Sequence, residues 1–302
     1  MIGKDRRFKS RAGLPALVAA ILLAIQVPAA AQDPAPAPAP APANHQDDAA
    51  KSSAHPKAKA KTKAKGKSRA RAKAPARNDP PGFYMGRPIA DVMSWEGANW
   101  LFRETRIQEE QPEAMLRSLK IPAGATVADV GAGAGYYSIR LARKVGPKGI
   151  VYATDLQPEM LRFLQENARA ARVKNIKPIR CTQTKTNLPS GAIDLILMVD
   201  VYHECTEPDA TLHGLLTALK PGGRLVLVEF RAEDPTVPIK PEHKMTLEQV
   251  RKEVEPQGFT FKESLEFLPW QHVIIFEKPR EAKKSKPAKA REGSDKSITR
   301  SS

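Results

Sequence analysis

The stretch Val127-Ala-Asp-Val-Gly-Ala-Gly-Ala-Gly-Tyr-Tyr-Ser-Ile-Arg-Leu-Ala142 decides the fold. An apolar run ends in Gly131, Gly133 and Gly135, and an amphipathic stretch follows. A strand, a turn of small residues and a helix in that order let a ligand come close to main-chain N–H groups. The dinucleotide fingerprint GxGxxG would need glycine at Tyr136 counting from Gly131, or at Ser138 counting from Gly133, and fails in both frames. Its third glycine serves close packing of the helix. Tyr136 is too bulky for that, which disfavours a nicotinamide cofactor.

Working outward, Thr126–Val130 reads as a strand and 136–144 as a helix. Ile150–Thr154 is the next strand, and Pro158 suits the first turn of a helix reaching about Ala171. Ile176–Ile179 is a short strand. Ile193–Val199 is a continuous apolar run, as in strands buried on both faces. Ala210–Leu219 reads as a helix stopped by Pro221-Gly222-Gly223, and Arg224–Phe230 as a strand. Thr246-Leu-Glu-Gln249 has the form of a capping box, with a helix to about Glu255 closed by Gly258. Phe259–Phe267 and His272–Phe276 are joined by too few residues for a parallel crossover, so they pair antiparallel. Upstream, Pro88–Arg103 and Gln111–Leu119 read as helical stretches. The sum is an α/β layered domain with a mostly parallel sheet and a C-terminal hairpin.

The chain has 302 residues and a net charge of +16, and the excess lies outside this domain. Residues 1–31 have the form of an export signal: Lys4, Arg6, Arg7, Lys9 and Arg11, an apolar core from Leu17 to Ile25, then Ala29-Ala30-Ala31. The expected location is therefore exported or periplasmic, with an uncleaved inner-membrane anchor or a cytoplasmic protein as alternatives. Residues 32–78 are Ala/Pro-rich and then Lys/Ala-rich, a composition that cannot bury a core and reads as a disordered linker. Residues 79–278 form the folded domain, and 279–302 a basic disordered tail. The basic segments are tethers, or contacts for a polyanion such as nucleic acid, anionic lipid or an envelope polymer. Neither tail interleaves aromatics with its cations. Cys181 and Cys205 have no metal-ligand spacing and read as small core residues. No metal site is expected from the sequence.

Four segments in order carry a resemblance: Asp129-Val-Gly-Ala-Gly-Ala-Gly135, Asp155, Asp194-Leu-Ile-Leu-Met-Val-Asp200 and Leu219-Lys-Pro-Gly-Gly-Arg-Leu225. They resemble the successive motifs of class I S-adenosylmethionine-dependent methyltransferases, and the terminal hairpin matches that family's topology. The likeness runs from about Tyr84 to Glu277. It implies a Rossmann-like, seven-stranded sheet with helices on both faces, S-adenosylmethionine as cofactor, and methyl transfer to a small-molecule acceptor.

The resemblance also implies roles. The backbone of Gly131, Gly133 and Gly135 would approach the methionine part, with Asp129 orienting that loop or reaching the ammonium group through water. Asp155 would accept from the ribose hydroxyls, Leu156 would lie along the adenine, and Tyr136 would line the pocket. Backbone near Val199 and Asp200 would face the methionine amino group. Such enzymes often place an acid after the third strand for the adenine amino group. Here the segment is Cys181-Thr-Gln-Thr-Lys-Thr-Asn187, which leaves Gln183 or Thr184 to accept that bond.

Methyl transfer needs positioning of nucleophile and methyl group, and sometimes removal of a proton. His203, Glu204, Glu229 and His243 are the candidate acids and bases; for each histidine the alternative is a locally hydrogen-bonded rim residue. Tyr202 belongs to the substrate side or to the core. Trp95 and Trp100 read as core residues, or as caps over the cofactor or acceptor. The competing functional reading is a non-catalytic member of the fold that binds a partner or polyanion.

Overall fold

A computed structural model describes residues 79–280. The export signal, the linker and nearly all of the basic C-terminal tail lie outside the described residues.

The first elements are β1 (Phe83–Tyr84) and β2 (Arg87–Pro88), a small antiparallel hairpin. Only Trp95–Phe102 of the stretch expected to be helical from Pro88 coils, and it does so as a 3-10 helix capped by Ser94. The residues before it are held out by other contacts: Ile89 N–H donates to Gly82 O and Ala90 N–H to His203 O. Two helices, α1 (Arg106–Glu110) and α2 (Pro112–Ser118), are separated by Gln111 in left-handed conformation at φ +45°.

The layered part follows: β3 (Thr126–Val130), α3 (Tyr136–Val145), β4 (Ile150–Asp155), α4 (Pro158–Ala170), β5 (Ile176–Arg180), β6 (Ile193–Val199), α5 (Pro208–Ala218), β7 (Leu219–Arg231), β8 (Lys244–Met245), α6 (Leu247–Val254), β9 (Thr260–Leu265) and β10 (Gln271–Glu277). The sheet runs β5-β4-β3-β6-β7-β10-β9. The pairs from β5 to β7 are parallel, and β10 pairs antiparallel with both β7 and β9. This is the expected Rossmann-like arrangement, with one addition. The two-residue β8 pairs with Phe230 and Arg231, beyond the end of β6.

Side-chain alternation distributes the core. Val127, Leu195, Leu197, Val226 and Val228 face Leu116 of α2, Leu119 just past its end and Leu141 of α3. Their neighbours Ala128, Ile196, Met198, Leu225 and Leu227 face Leu212, Leu215, Val250 and Val254 of α5 and α6. A strand buried on both faces has to be apolar at every position, which is why 193–199 reads as it does. Each large side chain so buried contributes about 1.5–3 kcal/mol.

Two local expectations are corrected. Helix α5 ends at Ala218, before Pro221-Gly222-Gly223, which instead forms a bulge inside β7. There Gly222 N–H donates to Lys278 O and Lys278 N–H to Gly223 O, which continues the pairing with the hairpin past the bulge. At α6 the Thr246 hydroxyl accepts from Gln249 N–H as a cap should, but the Gln249 amide reaches Met85 O and Glu253 rather than turning back. Among the described residues no helix is long and apolar enough to cross a membrane.

Candidate functional site

Strand order reverses between β3 and β6, and ligands of open α/β sheets sit beyond the carboxyl ends of strands at that point. A cavity of about 570 Å³ lies there. Of the residues singled out from the sequence, Gly131, Gly133, Asp155, Leu156, Gln183, Val199, Asp200, His203 and His243 line it. Asp129, Gly135, Tyr136, Thr184 and Glu229 do not line it, for reasons that differ.

Asp155 stands at the tip of β4 and is only 7% exposed. Its carboxylate accepts from Gly133 N–H at 2.8 Å and from Gln157 N–H at 2.9 Å. Burial pushes its pKa up, against these bonds. Gly131 has φ +72°, and a Cβ there would stand 2.5 Å from the Val201 methyls. A side chain at Gly131 would therefore collide with Val201. Gly135 has φ +91° and meets Leu164 of α4, where a Cβ would fall 2.9 Å from Leu164 Cγ. It sets the approach of α3 to α4 and leaves ligand contact to Gly131 and Gly133.

Tyr136 is not a wall of the cavity. Its ring is packed edge-on against Phe102 and lies under the guanidinium groups of Arg106 and Arg140. Asp129 accepts from Ser138 Oγ at 2.5 Å, which binds the end of β3 to the first turn of α3. Burial lifts its pKa to about 6. Of the two roles expected for it, orienting the loop is the one this bond performs. Thr184 is exposed and its hydroxyl meets Thr182. Gln183 reaches the cavity, but its side-chain oxygen already accepts from Thr206 N–H at 3.4 Å. Asp200, at φ +55°, has both carboxylate oxygens on Gln271 Nε2, at 3.0 and 2.9 Å. Burial raises its pKa well above the usual carboxylate range.

Three lining residues, Arg106, Leu101 and Met160, had no sequence signal. Arg106 comes from the short α1, with its guanidinium on Glu110 at 2.7 Å. Leu101 lies over Gly133, and Met160 comes from α4. Trp100 lines the cavity and is 46% exposed, with Arg103 stacked 3.6 Å from its ring centre, and Trp95 is 38% exposed; neither is core. Tyr202 is the opposite case, fully buried with its hydroxyl donating to Glu253 at 2.8 Å. Cys205 is buried and Cys181 half-buried; both are free and both line the cavity.

Residues 121–282, more than half of the chain, match a family described as a methyltransferase domain. The chain belongs to this family. Among curated relatives it is similar to the ubiquinone/menaquinone biosynthesis C-methyltransferase UbiE of Pasteurella multocida, 31% identical over 108 residues, which is 35% of this chain and 40% of that protein. The same enzyme of Pseudomonas putida strain F1 is 30% identical over 111 residues, 36% of this chain and 43% of that protein. The match thus spans about two fifths of these relatives' own length. A solved SAM dependent methyltransferase from Aquifex aeolicus superposes with a TM-score of 0.59 at 28% identity, covering 62% of this chain and 100% of that one.

The donor set of the methyltransferase domain suits S-adenosylmethionine. A carboxylate offers about four acceptor positions, and two of those on Asp155 are used by main-chain N–H groups. The remainder suit a ribose diol. The left-handed glycine turn beside it offers main chain without side chains, and Arg106 adds a cation for a carboxylate. The residues fit the group.

The same methyltransferase cavity is lined by His203, Glu204 and His243. His203 is 2% exposed, with Nδ1 2.6 Å from Glu229 Oε2. Glu229 is fully buried behind it, and its other oxygen accepts from Tyr202 N–H at 2.9 Å. In the neutral ring this contact places the proton on Nδ1, facing Glu229, and the lone pair on Nε2. The turn is clamped from outside: Arg87 Nη1 and Ala90 N–H both donate to the His203 carbonyl at 3.1 Å. Arg87 is itself in a two-pronged buried pair with Glu253, at 2.7 and 3.1 Å. Burial raises the Glu204 pKa to about 7 and lowers that of His243, the latter helped by the neighbouring His203.

Proposed function

We propose that this protein is an S-adenosylmethionine-dependent methyltransferase acting on a small-molecule acceptor. The observation that carries the reading is the joining of Gly133 N–H to Asp155 on the wall of a cavity of about 570 Å³, a size within the usual ~300–1,000 Å³ of small-molecule sites. Membership of the methyltransferase-domain family and the likeness to the Aquifex enzyme support it.

When bound, S-adenosylmethionine supplies a methyl group activated on a positively charged sulfur. The chain's residues do the rest. Asp155 holds the ribose diol, Leu156 and Gln183 border the adenine side, and the Gly131–Gly133 main chain with Val199 and Asp200 borders the methionine side. Arg106 neutralises the methionine carboxylate. Asp129 and Tyr136 brace the turn and the first turn of α3 from behind. The walls contributed by Leu101, Met160, Phe230 and Ile239 exclude water and favour a mostly apolar acceptor. Its polar group faces His203 and His243. Glu229 touches neither ligand and acts as a positioning residue, holding the His203 lone pair toward the acceptor end.

The names of the UbiE relatives support a small organic acceptor over a macromolecule. Export through residues 1–31, and contact of the basic segments with a polyanion, are proposals that rest on sequence alone.

Titrating S-adenosylmethionine into the full-length protein tests the cofactor reading. Micromolar binding is expected, with a stabilisation of about 2.7 kcal/mol at a hundredfold excess over Kd. No heat of binding together with an unmoved Tm would overturn it.

A further inference from the structure

The histidine wall of the cavity is built in a way that methyl transfer by a bare histidine does not require. His203 and Glu204 are consecutive in one tight turn, and His243 arrives from 40 residues away. It is brought in by β8, whose pairing with Phe230 and Arg231 seats residue 243 beside the end of β7, the strand that carries Glu229. One ligand atom from each of His203, Glu204 and His243 falls within 4.8 Å of the others. His203 Nε2 and His243 Nδ1 are 3.1 Å apart.

We propose that His203, Glu204 and His243 bind a first-row divalent transition metal, with Glu229 as the outer partner of His203. Two imidazole nitrogens on one tetrahedral ion, each about 2.0–2.1 Å from it, stand about 3.3 Å apart. The histidine pair is already within a few tenths of an ångström of that spacing. Glu204 supplies the third ligand, its carboxylate oxygen within 4.8 Å of both nitrogens. Two histidines and one carboxylate suit zinc, cobalt or ferrous iron rather than calcium or magnesium, which favour all-oxygen ligands.

Three further features belong to a metal centre. A ligating histidine usually donates its second ring N–H to a carboxylate, which fixes the tautomer and aims the lone pair. The 2.6 Å contact of His203 Nδ1 with buried Glu229 is that arrangement. The first two ligands are also held in place without the ion, because Arg87 and Ala90 bind the His203 carbonyl and Tyr202 is locked on Glu253. Three protein ligands on the cavity wall leave a coordination position open toward an acceptor's oxygen or nitrogen.

The site stands apart from the cofactor reading, and two separate measurements keep them distinct. Tag-free full-length protein is stripped with a chelator, dialysed and titrated with cobalt(II). Visible ligand-field bands of low-coordinate cobalt should grow to one ion per chain, and zinc should displace them. His243→Ala and Glu204→Gln should each weaken cobalt binding by roughly tenfold or more, and Glu229→Gln by about 10–100-fold. S-adenosylmethionine titrations on the same samples report the cofactor pocket and the fold independently. Wild-type protein that develops no bands while retaining its fold overturns the proposal and leaves the His203–His243 contact as a hydrogen bond. Bands that survive all three substitutions unchanged overturn it equally, because the ion then lies elsewhere.

Discussion

Gly133 N–H donates to the Asp155 carboxylate across 2.8 Å, joining the turn after the first parallel strand to the tip of the second. One carboxylate therefore shapes the glycine turn and faces the cavity. Hydrogen bonds to charged groups are worth about 1.5–3 kcal/mol. Asp155→Ala should lower S-adenosylmethionine affinity by roughly two orders of magnitude, since two hydroxyl bonds to a carboxylate are lost. Asp155→Asn keeps an acceptor for Gly133 and should lose about tenfold. Calorimetric titration reads both, and unchanged affinity of Asp155→Ala would remove this residue from the site.

Gly131 and Val201 meet where a side chain on the turn would stand. Gly131→Ala puts a Cβ 2.5 Å from the valine methyls at φ +72°. Left-handed backbone costs a non-glycine residue roughly 1–2 kcal/mol and overpacking about 1–3 kcal/mol. Urea unfolding of Gly131→Ala should show a loss of at least ~2 kcal/mol. Adding Val201→Ala should return the overpacking part, seen as a coupling in a double-mutant cycle. Additive losses would mean that backbone strain alone requires glycine.

Asp129 gives the stability a pH dependence. Its folded pKa of about 6 lies above the ordinary 3.8, because burial favours the neutral acid. Between about pH 4 and 6 the folded protein keeps a proton that the unfolded chain has released, so this group's contribution falls as pH rises and then levels off. The fall is on the order of 3 kcal/mol at 1.36 kcal/mol per unit. Asp129→Asn has no proton to lose. Its stability relative to wild type should therefore improve from pH 4 to pH 7 in chemical denaturation. A constant difference across that range would contradict the burial argument.

Much of this architecture was legible because it is written in local patterns. Alternation of period two and unbroken apolar runs mark strands, and β3 and β6 fall on their expected bounds. Pro158 opens α4 and Gly258 ends the turn after α6, where a left-handed residue is needed. The terminal hairpin followed from the shortness of its connection. Pro88–Arg103 misled because its apolar spacing looks helical, while Arg87 and Ala90 are drawn out by bonds to Glu253 and His203. Local spacing carries no trace of a partner more than a hundred residues away.

The site divides along the same line. The sequence by itself determined the parallel sheet, the glycine turn, Asp155 at the tip of its strand and the neighbouring His203 and Glu204, since each is fixed by order along one strand and its turn. Only the tertiary structure decided which of these residues face the cavity. It put Tyr136 among arginines, Asp129 behind the turn on Ser138, and Glu229 behind His203. It also carried His243 to within 3.1 Å of His203. That distance depends on two main-chain pairings of β8 with the end of β7, and such pairings are chosen by the packed sheet as a whole.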